Sequence, residues 1–412
     1  MFLAVVSLLF LAGYTALIAF YYRHWKKPPN DSPSAAPATF VSVVVAARNE
    51  EATLPALIAD LRSQSVSPQA FEVIIVNDFS TDGTASLALP ANFRMIEPDC
   101  PPGQSSKKKA IAAGVAQARG EVILVTDADC RVGEKWIATM ASFCQEKEAS
   151  FIAAPVKYLH DNSLLQVLQV LDFLTLQGIT AASVSANFHT MCNGANLAYT
   201  KKAFTAVGGF AGIDTVPTGD DMLLMHKIWK LDPSRVFYLK NRDAIVSTPA
   251  MATWKDFLMQ RRRWASKTLV YDDHRITAVL AFVLLLNLLP LVLLVAGFFQ
   301  PVYFWCLLFF LLGKTAVEWP FVASVAGFFG QQKLMRYFFV LQPLHVFYTV
   351  LVGIWSQVGS YEWKGRTAPL PIQRGLSNTK SSPGGEAERT KASLQSGERS
   401  TATPPLGGRG AG

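Results

Sequence analysis

Val122-Ile123-Leu124-Val125-Thr126-Asp127-Ala128-Asp129 (122–129) is a short apolar run that ends on two carboxylates one residue apart. A continuous run of this length, without polar alternation, reads as a strand buried on both faces. Two similar runs come earlier. Val41 to Ala46 leads into Arg48-Asn49-Glu50-Glu51, and Phe71 to Val76 leads into Asn77-Asp78. Helical patterns separate them, one through Leu54, Leu57, Ile58 and Leu61, another from Lys107 to Ala118. Strands alternating with helices predict an α/β domain with a mainly parallel sheet. In such sheets ligands bind beyond the carboxyl ends of the strands, which is where Asp78, Asp127 and Asp129 fall.

The surroundings of this domain are apolar. Of 412 residues, 50% are hydrophobic and 17% charged, which points to an integral membrane protein carrying a soluble domain. Residues 1–22 can span a bilayer, and the basic residues Arg23, Lys26 and Lys27 stand behind them. That placement predicts an uncleaved anchor with the following chain in the cytoplasm. The expected organisation is an anchor at 1–27, a linker at 28–39, the α/β domain at 40–253 and an interfacial helix at 254–274. A membrane region of about three segments at 275–360 and a disordered basic tail at 361–412 complete it. Residues 163–186 read as a helix lying on the domain or the membrane surface, because Gln166, Gln169, Asp172 and Gln177 are costly in lipid. Residues 301–329 read as one irregular span or as a span plus a re-entrant piece. Lys314, Glu318 and His345 are expected near interfaces. The formal charge of +8 is clustered beside membrane segments and the candidate site, so lipid and phosphate account for it without nucleic acid. Five cysteines without metal-ligand spacing predict free thiols.

The acidic positions suggest a site for a metal-bound nucleotide diphosphate. Asp129 is the expected metal contact, with Asp127 supporting the ribose or the metal shell, and oxygen ligands suit Mg²⁺ or Mn²⁺. Asp78 can accept from a uracil N–H or can cap the next helix, and Asp82 suits the capping role. Glu50 joins Asp78 on the nucleotide side. Lys107 to Lys109 open a helix against its dipole unless an anion is near, and Lys107 is the expected nucleotide contact. Asn193 and Asn196 are read as facing acceptor hydroxyls. In Gly219-Asp220-Asp221, Asp221 is the expected general base and Asp220 its orienting neighbour, although two carboxylates at a helix start also simply favour the dipole. In Gln260-Arg261-Arg262-Arg263-Trp264, Arg263 can clamp a departing diphosphate and Trp264 can wall the acceptor, with Gln260 beside them. Arg261 and Arg262 are expected mainly at the lipid interface.

These residues resemble the motifs of the membrane-bound family 2 glycosyltransferases, which include cellulose, chitin and hyaluronan synthases and ceramide glucosyltransferases. The resemblance runs from about Phe40 to Trp264. It implies a GT-A fold, a Rossmann-like mixed sheet, with Asp78 on the uracil of a UDP-sugar, Asp127 and Asp129 as the Asp-Xaa-Asp pair, and Asp221 as the base. Gln260, Arg263 and Trp264 match the Gln-Xaa-Xaa-Arg-Trp motif. Two departures stand out: Asp220 where Glu is common, and Ala112 where many relatives carry Asn. The implied reaction is direct, inverting attack by a hydroxyl of a lipid or growing glycan acceptor, with a divalent ion and Arg263 stabilising the leaving diphosphate. A non-catalytic nucleotide-sugar-binding subunit is the alternative, and a transporter is disfavoured by the few polar groups in the spans.

Overall fold

The computed structural model describes residues 2–27, 39–101, 104–214, 216, 219–266 and 273–357, and the backbone of residues 360–363 and 366–369. The linker at 28–38, the end of the interfacial segment at 267–272 and the tail from residue 370 lie outside the described residues. An apolar helix, α1 (Phe2–Trp25), precedes the domain. The domain runs β1 (Val41–Ala47), α2 (Leu54–Arg62), β2 (Phe71–Asn77), β3 (Phe93–Ile96), α3 (Lys107–Gln117), β4 (Val122–Asp127), β5 (Arg131–Val132) and α4 (Trp136–Glu146). It continues through β6 (Phe151–Ala153), β7 (Val156–Leu159), α5 (Leu164–Ser185), β8 (Leu197–Thr200), α6 (Lys201–Ala206), α7 (Asp220–Leu231), β9 (Val236–Tyr238) and β10 (Val246–Pro249). Four helices follow: α8 (Trp254–Ala265), α9 (His274–Phe299), α10 (Val302–Phe329) and α11 (Phe338–Trp355). A hairpin of β11 (Ser360–Trp363) and β12 (Arg366–Pro369) ends the described chain.

Among the described residues, seven strands form one mixed sheet in the order β3-β2-β1-β4-β8-β6-β9. The first four are parallel, and their apolar runs are buried because helices cover both faces. Register sets the site. Ala46 pairs with Val76 on one side and Asp127 on the other, and Ala47 pairs with Asn77. Asp78 and Asp127 therefore leave β2 and β4, the strands on either side of β1, at one edge of the sheet. Strand β8 runs antiparallel to β4, with Leu197 opposite Val125. Its approach segment, Asn193 to Asn196, is thereby carried to that same edge.

The membrane helices dock onto the domain rather than hanging from it. The Lys240 ammonium donates to the Trp25 carbonyl at 2.9 Å and lies 4.1 Å over the Trp25 ring, and the Trp25 indole donates to Ser324 at 3.1 Å. Helix α5 packs between α1, α10 and the sheet. It has the length and composition of a span but is mostly buried inside the protein. Its polar groups bond inward: Gln177 accepts from the Val156 N–H at 3.0 Å, and Gln169 donates to the Met251 carbonyl at 2.9 Å. A Cβ on Gly178 would come within 2.7 Å of Phe321, so only glycine permits the close crossing of α5 and α10.

Residues 302–329 form one continuous helix that accommodates Pro320, the single-span alternative of the two expected. Two expectations are corrected here. Lys314 and Glu318 are not interfacial: they are buried 2.7 Å apart, and Gln342 and Tyr14 complete their hydrogen bonds, as a charge inside an apolar bundle requires. Within the tail, residues 360–363 and 366–369 pair as antiparallel strands.

His189 links the anchor to the domain. Its Nε2 lies 3.2 Å from the Tyr21 hydroxyl and 3.0 Å from the Ser183 hydroxyl. Burial, only partly offset by Asp273 and reinforced by Arg275, lowers its pKa from 6.5 to about 4. A histidine held neutral in the fold stabilises less as pH falls below the unfolded value of about 6.5. The expected loss between pH 6.5 and about 4 approaches ~1.4 kcal/mol per pH unit. Thermal midpoints should therefore fall over this window in the native chain and fall less in His189→Gln. Parallel curves for the two proteins would refute the assignment.

Candidate active site

The centre of the site is a lysine among carboxylates. Lys107, the first residue of α3, places its Nζ 2.6 Å from Asp127 Oδ1 and 3.3 Å from Asp220 Oδ2. Burial alone would lower its pKa, but Asp127, then Asp220, hold it well above the usual lysine value. The expected cost of lysine at a helix start is thus met by two aspartates from other elements. Ser106 caps α3, its Oγ accepting from the Lys109 N–H at 3.3 Å. Lys108 belongs to the fold instead: it is buried and donates to the carbonyls of Ile213 and Val216.

Asp220 and Asp221 open α7 and are in its first turn. Their surroundings differ. Asp220 faces Lys107, whereas Asp221 Oδ2 accepts from the Gly194 N–H at 3.1 Å and its Oδ1 from the Met222 N–H at 2.8 Å. A Cβ on Gly194 would lie 3.2 Å from Lys107 Nζ and 3.6 Å from Asp220, which is why glycine stands at this approach. Asn196 does not face an acceptor. It is fully buried, accepts from the Trp136 indole at 3.0 Å and donates to the carbonyls of Pro155 and Ala244 at 2.8 and 2.7 Å.

Ligand atoms of Asp127, Asp129 and Cys130 lie within 4.8 Å of one another. Burial, with Asp127 and Asp129 beside it, pushes the Cys130 thiol well above its usual pKa, and a soft sulfur is in any case a poor match for a hard ion. The usable donors are carboxylate oxygens, which fit a hard divalent ion such as Mg²⁺ or Mn²⁺. On the neighbouring strands Asp78 is buried, and Arg48 donates to its carbonyl at 2.7 Å and to that of Phe79 at 3.3 Å. Glu50 is also buried, accepts from the Thr53 hydroxyl at 2.5 Å, and sends its own N–H to Thr84 at 2.8 Å. Asp82 caps the next turn as expected, accepting from the Thr84 N–H at 3.0 Å.

The motif on α8 sits on a different wall. Gln260 accepts from the Tyr158 hydroxyl at 3.2 Å, Tyr158 packs on Phe173, and Phe173 lies 6.0 Å from the Trp264 ring. Arg263 is half-buried on the same helix and near enough to act on the Tyr158 phenol electrostatically. Arg261 and Arg262 are corrected: neither is a lipid-facing residue. Arg261 is buried, pairs with Asp172 at 2.7 Å and covers Trp264 at 4.4 Å, while His345 lies 3.3 Å from Asp172. Arg262 is buried 4.3 Å over Trp355. Phe257 on the same helix is fully buried. A cavity of about 900 Å³ joins the walls, lined by Asp221, Asn193, Arg261 and Trp264 and by the membrane helices.

A mixed sheet of this order, with an Asp-Xaa-Asp pair at the edge of its parallel strands and long apolar helices on either side, defines a membrane-associated protein of the GT-A class. Residues 42–208 match the family model "Glycosyl transferase family 2". Among solved structures, the mannosyltransferase PcManGT from Pyrobaculum calidifontis, in complex with GDP-Man and Mn²⁺, is similar with a TM-score of 0.52 and 17% identity. The match covers 86% of this chain and all of that one. The dolichyl-phosphate beta-glucosyltransferase ALG5D of Trichomonas vaginalis is 31% identical over 26% of this chain and 37% of its own length. The probable glycosyltransferase YdaM of Bacillus subtilis is 24% identical over 55% of this chain and 54% of its own. The chain thus spans less than two thirds of the curated relatives it matches.

Proposed function

We propose that the protein transfers a sugar, with inversion, from a nucleoside-diphosphate sugar, in the first instance a UDP-sugar, to a hydroxyl of a lipid or growing glycan acceptor. The catalytic domain faces the cytoplasm, since the basic residues Arg23, Lys26 and Lys27 follow the first span. The observation that carries this reading is Lys107 held between Asp127 and Asp220, with Asp221 alongside, at the carboxyl edge of the sheet. Asp78 and Glu50, at the ends of β2 and β1, take the nucleotide. Asp221 accepts the proton of the attacking hydroxyl, and Asp220 positions Lys107. Arg263 and Lys107 offset the charge of the departing diphosphate, with Gln260 and Trp264 shaping the wall beside it. Asp127 and Asp129 would hold a divalent ion, Asp129 as its main ligand. When bound, that ion neutralises diphosphate charge as the leaving group departs.

Purified full chain in detergent, given Mn²⁺ and a panel of labelled nucleotide sugars, should release nucleoside diphosphate and form a labelled product. Donor binding without turnover across varied acceptors would instead assign a non-catalytic nucleotide-sugar-binding subunit. Chelation should abolish transfer, and Mg²⁺ or Mn²⁺ should restore it. Asp129→Asn should lower the rate at least about a hundredfold at fixed ion concentration and raise the ion concentration needed for half-maximal rate. A rate indifferent to chelator would reject the metal assignment.

A further inference from the structure

The cavity that touches Asp221 runs away from the sheet and into the membrane helices, between α1, α5, α9 and α11. Its walls are mostly apolar, with residues such as Leu17, Leu171 and Val283. The charged groups in those walls are turned to one another: Asp172 to Arg261 at 2.7 Å, Lys314 to Glu318 at 2.7 Å, and the Tyr14 hydroxyl to Glu318. A saccharide chain lying there would leave hydroxyls without partners, each at a cost in free energy. Hydrocarbon suits the space. Leu280 of α9 and Ile354 of α11, which are 40% and 61% exposed, line the cavity within the apolar helices, so it is open to its surroundings there. A volume of about 900 Å³ is ample for a long chain.

Charge decides what the chain carries. The inner end meets Asp221, with Asp220 and Asp127 close behind and Lys107 already shared between the latter two. A phosphate head would meet Asp221 there, and the cations that also line the cavity, Arg261 and Lys314, are already paired with Asp172 and Glu318, whereas a hydroxyl finds a carboxylate able to accept its hydrogen.

We propose that this cavity is the acceptor site and that the acceptor is a membrane lipid with an uncharged hydroxyl head. The proposal rests on the glycosyltransferase reading and narrows it. In the step, the lipid hydroxyl oxygen bonds to the anomeric carbon and its proton passes to Asp221. The bond from that carbon to the diphosphate oxygen breaks, and the electron pair leaves with the nucleoside diphosphate.

The test uses full chain in detergent with a labelled donor and a series of acceptors: linear alcohols from butanol to hexadecanol, diacylglycerol, a polyprenyl phosphate and a soluble oligosaccharide. Transfer efficiency should rise at least tenfold along the alcohol series and exceed that with the phosphate or the oligosaccharide. Ile179→Trp, which fills the cavity from α5, should cut kcat/KM for hexadecanol at least tenfold while leaving butanol transfer and donor KM within about twofold. Ile179→Ala should retain hexadecanol transfer. A diazirine-bearing hexadecanol should crosslink to cavity residues of α5, α9 or α11 and be displaced by diacylglycerol, a readout that does not need turnover. Preference for the phosphate or the oligosaccharide, or indifference to chain length, overturns the proposal. So does crosslinking confined to the outer helix faces. Loss of donor binding and of all donor turnover in the native chain, with crosslinking intact, would instead reject the glycosyltransferase reading.

Discussion

Asp221→Asn should lower kcat about a thousandfold while leaving donor KM within about threefold. General-base catalysis contributes roughly 10²–10⁴ in rate, and the amide cannot accept the hydroxyl proton at neutral pH. The substitution keeps the shape of the group. An asparagine oxygen can still accept from the Gly194 N–H, so the turn before β8 should hold. Asp220→Asn is the control. It faces Lys107 rather than the cavity, so its effect should fall mainly on donor KM. The pH profile separates the two: the native rate should rise with pH through ionisation of the base, and the residual rate of Asp221→Asn should lose that limb. Unchanged turnover in Asp221→Asn, or a larger kcat loss in Asp220→Asn, would move the base to another residue.

What could be read from the chain depended on how far apart the interacting groups lie in sequence. The strands β1, β2 and β4 were legible because each is a short apolar run that ends on polar residues, and burial on both faces permits no other pattern. Placing Asp78, Asp127 and Asp129 at strand ends followed from the same runs, and parallel register brings the strand ends level. Lys107 was legible for a local reason, since its charge opposes the dipole of its own helix. Arg261 was misread because its partner, Asp172, lies on a helix almost ninety residues earlier, and a basic run next to a span also suits headgroups. Each charge explains the other only after α5 and α8 are packed together. Lys314 and Glu318 had a local signal, since they are one helical turn apart, but Gln342 and Tyr14 come from other helices. Asn196 was read as a ligand contact from its turn-rich surroundings, while its three hydrogen bonds reach Trp136, Pro155 and Ala244. The cavity had no sequence signal at all, because it is space left between helices.

Lys107→Met should weaken both the donor complex and the free protein, and a divalent ion should compensate for much of the second loss. Methionine matches the length of the lysine stem but leaves Asp127, Asp220 and Asp221 without their shared cation. Breaking a fully buried pair costs about 3–5 kcal/mol. The Lys107 side chain is 22% exposed, so solvent screening reduces the expected loss to about 2 kcal/mol. The sign with pH is fixed by the raised lysine pKa. Its stabilisation is complete below the unfolded lysine value near ~10.4 and is lost only as pH rises through the higher folded value. The deficit of the variant should therefore be constant from pH 6 to 9. Added Mn²⁺ should raise the thermal midpoint of Lys107→Met more than that of the native chain, since the ion then meets carboxylates with no competing ammonium. With saturating ion, donor KM should remain at least tenfold high because the diphosphate has lost a cation that no carboxylate-bound ion replaces. Lys107→Arg should recover the stability and only part of the affinity, its planar head being unable to sit at both aspartates as the ammonium does. Native stability and native KM in Lys107→Met would mean that the lysine only fills space between α3 and α7, and the diphosphate would then have to be placed elsewhere along the sheet edge.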